Sequence, residues 1–377
     1  MPKRHTPGSG HHRLVAHIEE IVLATSGADA FEMVFGLAAA RILQARRTPG
    51  RGNIPAMLAQ IAEEHPALEI IVPRDATVEL LARVDALLAR ALPEGPHHVH
   101  VLGALDAIFE SLIPRIAKGD KGQFFTPRHV VDFIVRALAP RARERVIDPA
   151  CGSGAFLSHA HAQAPVATFG CDVDARAVRV ARLSAIAQGR NAHDIALADG
   201  LAPGILGAFT NAHVIATNPP FAGRASANGF DVARVVRSPE RDVLFLERSL
   251  SLLCPGGRLG IILPYNKAGG AAFAGLRRWL AMRARLYAVV GLPRETFLPH
   301  TSQRTFVLFA KKRFAGEIMG GRERTIFVVS KKAGKDKSGE PVMRTICGQN
   351  DGGDLDHDLD EVLMHLTPFL AAEGFSA

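Results

Sequence analysis

Four consecutive residues carry the sharpest chemistry in this sequence: Asn218, Pro219, Pro220 and Phe221, directly after the apolar run 213–217. An amine attached to an aromatic ring has its lone pair delocalised into that ring. It becomes a useful nucleophile only when hydrogen-bond acceptors draw on both of its N–H bonds and favour a tetrahedral nitrogen. The side-chain carbonyl of Asn218 and the backbone carbonyl of Pro219 can be two such acceptors. Prolines fix φ and bring no competing N–H, so the backbone acceptor is held ready before any reaction begins. Phe221 adds a flat face on which a base turned out of its helix can stack.

A second cluster, Asp148-Pro149-Ala150-Cys151-Gly152-Ser153-Gly154, stands about 70 residues earlier, between an apolar run and a helical pattern. Its two glycines allow a sharp turn and a close backbone approach, as a nucleotide-type cofactor requires at the C-terminal edge of a parallel sheet. The third glycine of G-x-G-x-x-G is absent, and so is G-x-x-x-x-G-K-[ST]; neither a nicotinamide site nor a nucleoside triphosphatase loop is supported. Asp172, ending the next apolar run, can accept both hydroxyls of a ribose. Asp199, in Ala198-Asp199-Gly200, can accept from an adenine amino group.

These residues need strands that stop where they stand. Apolar runs at 145–147, 167–171, 195–197, 213–217, 259–263, 287–290, 305–309 and 325–329 read as strands, and 130–138, 175–188, 243–253 and 273–283 as helices between them. The alternation predicts an α/β fold with a doubly wound, mostly parallel sheet and some antiparallel strands late in the chain. Residues 1–115 read instead as a helical N-terminal domain, with breaks near Ser26–Gly27, 48–53 and 93–96 and Asp75 as the cap of a helix over 77–91. Residues 116–330 form the expected catalytic domain. The remainder, 331–377, reads as a mobile Lys/Gly/Asp-rich loop, an acidic run and a short helix ending near Ala372.

A length of 377 residues fits two domains or a little more. Hydrophobic residues at 47% and charged residues at 22% exclude wholesale disorder and a coiled-coil rod. The longest apolar runs fall well short of the about 20 residues a membrane helix needs. Four cysteines form no C-x-x-C pair and no apolar leader precedes His11, so a reducing, cytoplasmic setting is expected. The formal net charge of +8 permits a polyanionic partner, while one Trp and two Tyr argue against an extended aromatic stacking platform.

Taken together, D-P-A-C-G-S-G-A-F-L, A-D-G and N-P-P-F resemble the amino-group DNA methyltransferases of the adenine type. The preceding Gly122-Gln123-Phe124-Phe125-Thr126-Pro127-Arg128 is similar to the segment that opens the catalytic domain in methylation subunits of type I restriction–modification systems. The likeness covers about residues 121–311, roughly half the chain. It implies the S-adenosylmethionine-dependent methyltransferase fold and S-adenosylmethionine as cofactor. Phe125, Thr126 and Pro127 would meet the amino-acid end of that cofactor, and Asp148, Ala150 and Gly152 its methionine moiety. Asp172 would take the ribose and Asp199 the adenine amino group, with Phe245 packing on the adenine ring. Asn218 to Phe221 would be catalytic, acting on double-stranded DNA without a metal. The implied partners are a separate specificity subunit and a restriction subunit. Ser302-Gln303-Arg304-Thr305-Phe306 falls where the family has a late hairpin lining the base pocket, though it departs from the family in detail. On local chemistry alone, Thr126 and Pro127 also suit an N-cap and the first residue of a helix.

Other features are bland. Cys254-Pro255 reverses the Pro-Cys of methylases that attack a pyrimidine ring carbon and sits at a helix-to-strand turn. His97, His98 and His100 have no matching Cys/His pair to complete a metal site. Arg224, Arg234, Arg237 and Arg241 follow the catalytic loop, where they suit either DNA phosphates or a plain surface loop. Two rival activities use the same chemistry: a methyltransferase of protein glutamine or of RNA with the same N-P-P-F loop, and a self-sufficient DNA adenine methylase.

Overall fold

The computed structural model describes residues 29–44, 53–71, 76–92, 125–221, 223–318, 320–346 and 349–375, with isolated positions between 14 and 22 and between 103 and 112. The expected breaks at Ser26–Gly27 and 93–96, Asp75, the histidines at 97–100 and Gly122 to Phe124 lie outside these residues. By its internal contacts the chain divides into one unit of Met1–Gly119 with Ala175–Ile195 and a second of Asp120–Asp174 with Ala196–Ala377.

Among its described residues, the first unit is helical: α1 (Ala30–Gln44), α2 (Ile54–Glu64) and α3 (Val78–Leu88). Polar caps set two of the starts. Asn53 Oδ1 accepts from Ala56 N, and Thr77 Oγ1 accepts from Leu80 N at 3.2 Å. The core holds Phe31 stacked on Phe35 at 5.6 Å, with the Phe109 ring edge-on to both. The helix 175–187, which in sequence connects two strands of the sheet, belongs to this unit by its contacts. Its Arg179 is buried and donates to both carboxylate oxygens of Glu32, at 2.7 and 2.8 Å, and to Leu68 O. Arg41 forms a second two-pronged pair with Asp85. Neither the boundary nor the assignment of 175–195 follows from the sequence expectation of a split at 115. Contacts between segments distant in the chain leave no periodicity to read.

The second unit contains the sheet. Its strands are β1 (Arg145–Asp148), β2 (Ala167–Asp172), β3 (Ile195–Leu197), β4 (Ala212–Thr217), β5 (Leu253–Pro264), β6 (Ala284–Gly291), β7 (Thr305–Lys312) and β8 (Ile326–Val329), in the order β3-β2-β1-β4-β5-β7-β6-β8. β1 runs parallel to β2 and β4, β4 to β5, and β6 to β8; β7 is antiparallel to both of its neighbours. The helices of this unit are α4 (Arg128–Leu138), α5 (Ala155–Gln163), α6 (Arg241–Leu252), α7 (Ala274–Arg283) and α8 (Leu359–Ala372). All eight apolar runs fall on strands, with only residue 325 outside, although β5, β6 and β7 extend three to six residues beyond their runs. The central strands are mostly buried, as strands covered on both faces are.

The C-terminal part departs from expectation. Residues 331–354 are not a detached loop but part of the second unit, carrying the antiparallel pair β9 (Met343–Ile346) and β10 (Gln349–Leu355). Asp358 accepts from Ser330 Oγ and Lys331 N, Lys335 Nζ donates to Leu298 O, and Ala333 bridges His357. A sequence poor in apolar residues is held here by polar groups, which hydropathy cannot register. α8 is a full 14 residues, and Phe375 beyond it is buried against Tyr287 and Phe309.

Candidate active site

Parallel strands deliver the candidate residues to a common edge. β1 ends on Asp148, β2 on Asp172 and β4 on Thr217, while Asp199 follows β3 and Asn218 follows β4. Between β1 and α5 the chain turns through two glycines in the left-handed region, Gly152 at φ +51° and Gly154 at φ +82°. A Cβ added at Gly152 would meet nothing within 4 Å, so the missing side chain leaves open space beside the loop.

Asp148 is 1% exposed. Its Oδ1 accepts from Ala150 N at 3.0 Å and from Thr217 Oγ1 at 2.6 Å, while Oδ2 is buried without a hydrogen-bond partner among the described residues. Burial pushes this carboxyl up to about 7, against the two hydrogen bonds that favour its charged form. Asp172, also buried, ties the strand edge to the glycine loop: Oδ2 accepts from Gly152 N and Oδ1 from Asp174 N, both at 2.9 Å. Burial raises its pKa as well. Asp199 is exposed, and its Oδ1 accepts from Leu201 N. A buried anion with one unused oxygen, next to an open glycine, suits a cationic group such as an α-ammonium. The residues present therefore fit the cofactor that the motifs imply.

Asn218 lies across from the segment before α4. Its Nδ2 donates to Thr126 Oγ1 at 3.0 Å, and its Oδ1 is buried with no hydrogen-bond partner among the described residues. Thr126 therefore does not cap α4 and Pro127 is not its first residue. The N-cap position is Pro127, at φ −54° and ψ 138°, with no side-chain hydrogen bond. The hydroxyl that a cap would use is engaged by the Asn218 amide instead. Pro219 is buried, Pro220 half-buried and Phe125 half-buried.

Phe221 is only 4% exposed, and its ring meets Phe297 edge-on at 5.8 Å. Its ring is thus covered rather than open to solvent. Phe297 is a residue that sequence reasoning missed; the signal was an aromatic in the connection from β6 to β7. Residues 302–304 form the exposed end of that connection, whereas Thr305 and Phe306 are buried in β7. Phe245, on α6, is buried in the sheet core. A Cβ at Gly200 would come within 3.0 Å of its ring and 2.0 Å of Pro149 O, so Gly200 is where the turn after β3 touches the loop after β1.

A charge cluster around the buried Lys267 and Asp242 holds the return of the loop that follows Asn218, and no periodicity in the sequence pointed to it. Lys267, 3% exposed, donates to Glu240 Oε2 at 2.5 Å and lies 3.4 Å from Asp242 Oδ2. Burial pushes Asp242 up to about 6. Arg241 N donates to Gly223 O, which closes the loop that starts at Asn218. Arg224, Arg234 and Arg237 are exposed on that loop, whereas Arg241 is half-buried. Cys254 lies near the start of β5, whose Leu253 pairs with Ala212 at the start of β4, the end of the sheet opposite Asn218.

A family model described as N-6 DNA Methylase matches residues 100–344. The EcoKI type I restriction enzyme methylase subunit of Escherichia coli K12 is 28% identical over 233 residues, covering 54% of this chain and 44% of that subunit. The EcoEI methylase subunit of Escherichia coli is 26% identical over 225 residues, covering 54% and 46%. The chain thus matches somewhat under half the length of these curated relatives. In fold it is similar to a type I restriction–modification methyltransferase subunit from Streptococcus thermophilus, with a TM-score of 0.62 at 18% identity, covering 96% of this chain and 93% of that one. The sheet order, the glycine loop and the Asn-Pro-Pro-Phe turn sit within the matched residues, and the chain belongs to the N-6 DNA methylase family.

Proposed function

We propose that this chain transfers the methyl group of S-adenosylmethionine to the exocyclic amino group of adenine in double-stranded DNA, as the methylation subunit of a type I-like restriction–modification system. The observation that carries this reading is the unpartnered, buried carbonyl oxygen of Asn218, held at the sheet edge beside the Asp148–Gly152 loop. Such an oxygen fits one N–H of a target amine, and the Pro219 carbonyl fits the other. Two preorganised acceptors favour the nitrogen geometry that carries developing positive charge. The cofactor, when bound, supplies a methyl group already activated by its sulfonium charge, so the protein's work is alignment. Asp148 would face the methionine moiety with its free Oδ2, and Asp172 and Asp199 would hold the ribose and adenine. Ala150 and Gly152 would line the loop, and Phe125, Thr126 and Pro127 the amino-acid end. Phe245 would support the adenine from beneath Gly200. For Phe221 to stack on a flipped base, its ring must part from the Phe297 edge.

The relatives' description as subunits supports a division of labour in which a specificity subunit reads the DNA sequence and a restriction subunit cuts. The exposed arginines at 224, 234 and 237 suit contacts with the phosphate backbone. Tritiated methyl transfer to duplex DNA, RNA and protein in parallel, with and without the products of neighbouring genes, tests the reading. Label in DNA, as N6-methyladenine and lost in Asn218→Ala, is the expected result. Label in protein glutamine or RNA instead would overturn it.

A further inference from the structure

An amide side chain has two ends of nearly the same shape and opposite chemistry. Only the carbonyl end of Asn218 can accept from an amine; the NH2 end would set donor against donor. Nothing in the Asn-Pro-Pro-Phe sequence chooses between them. The choice is made by a residue 92 positions away in sequence: Asn218 Nδ2 donates to Thr126 Oγ1 at 3.0 Å, which turns Oδ1 to the side where it is buried and unpartnered. Thr126 has no competing duty as a helix cap, since the N-cap position of α4 is Pro127 and carries no side-chain bond.

We propose that Thr126 is a positioning residue that locks the Asn218 amide with its carbonyl toward the target amine. This rests on the reading of Asn218 as the acceptor for that amine. A hydroxyl can donate as well as accept, so Thr126 selects the Nδ2 end of the amide while its own hydrogen is given to another acceptor, a role the amino-acid end of a bound cofactor would fill. The lock therefore costs the segment 125–127 none of its capacity to donate a hydrogen bond to a bound ligand.

Thr126→Val removes the hydroxyl at nearly constant volume, and Thr126→Ser restores it. With asparagine-selective ¹⁵N labelling, the side-chain NH2 signal of Asn218 can be identified by its loss in Asn218→Asp. In the full chain with S-adenosylhomocysteine, Thr126→Val should move that signal and speed its exchange with water by about tenfold or more, while Thr126→Ser keeps it near wild type. In the methylating complex, single-turnover transfer at saturating cofactor and DNA should fall about tenfold or more in Thr126→Val. S-adenosylhomocysteine affinity should fall as well, because Thr126 also belongs to the segment read as holding the amino-acid end of the cofactor; the rate is therefore compared at saturating cofactor, and Thr126→Ser should recover most of both. Thr126→Val should add little to Asn218→Ala, as two residues acting through one hydrogen bond must. An unchanged Asn218 signal in Thr126→Val overturns the proposal, as does a rate loss fully reversed by more cofactor. If the wild-type complex transfers no methyl to DNA, the functional reading fails, and the NH2 signal alone still decides whether the lock exists.

Discussion

A buried polar atom without a partner costs about 1–3 kcal/mol, and among the described residues Asn218 Oδ1 and Asp148 Oδ2 are two such atoms. Both are acceptors, and both lie at the sheet edge where the motifs place cofactor and base. Asn218→Ala should lower single-turnover methyl transfer by about 10²–10³ or more, as removal of a preorganised group does elsewhere. Cofactor affinity, measured by calorimetry, should stay within a few fold, because in the proposed reading the amide meets the base and not the cofactor. An unchanged rate would sink its assignment. Asp148 leads to a pH effect of definite sign. Burial holds its carboxyl at about 7, so below that pH the free protein carries a proton that a cationic ligand must expel. S-adenosylhomocysteine should therefore bind more tightly as pH rises from 6 to 7, by up to about tenfold per unit, and level off above. Asp148→Asn should flatten this profile; a mutant profile that rises like wild type would place the titrating group elsewhere.

At the level of elements, the turns after β1 and β3 are locked by one glycine. Gly200→Ala would press a methyl to within 2.0 Å of Pro149 O and 3.0 Å of Phe245. It should cost about 1–3 kcal/mol or more in urea denaturation and weaken cofactor affinity along with it. Full stability would mean that the loops can separate freely. Much at this level was legible in the sequence, because strands buried on both faces appear as continuous apolar runs: β4 and its Asn218, β2 and its Asp172 could be located to the residue. What stayed hidden depends on contacts across sequence. Thr126 has the chemistry of a cap and meets Asn218 instead, and the contact of Phe221 with Phe297 joins residues 76 positions apart. The buried Lys267 with Glu240 and Asp242 gave no periodic signal, since each residue looks like surface charge until the fold places it. The segment 331–354 read as a loop because polar hydrogen bonds, not apolar side chains, hold it.

For the whole molecule, the net charge of +8 supports binding to DNA, but among the described residues the structure offers no further module of a size to read base edges. The chain alone should bind DNA weakly, with affinity falling steeply as salt rises. Offered a random-sequence library, it should methylate little, and gain a defined motif only with a specificity subunit. Robust methylation confined to one motif by the purified chain would refute that dependence and point to the 224–241 loop as the reader. A last consequence concerns time. The first unit is discontinuous: Met1–Gly119 is completed by Ala175–Ile195, which carries Arg179 to Glu32. During synthesis the Glu32 carboxylate therefore lacks its Arg179 partner until residues 175–195 have followed 120–174 out of the ribosome. Ribosome-bound chains stalled before residue 175 should be readily cut by protease within residues 30–88, and chains stalled well beyond 195 should resist, so the order in which this protein becomes folded is not the order in which it is made.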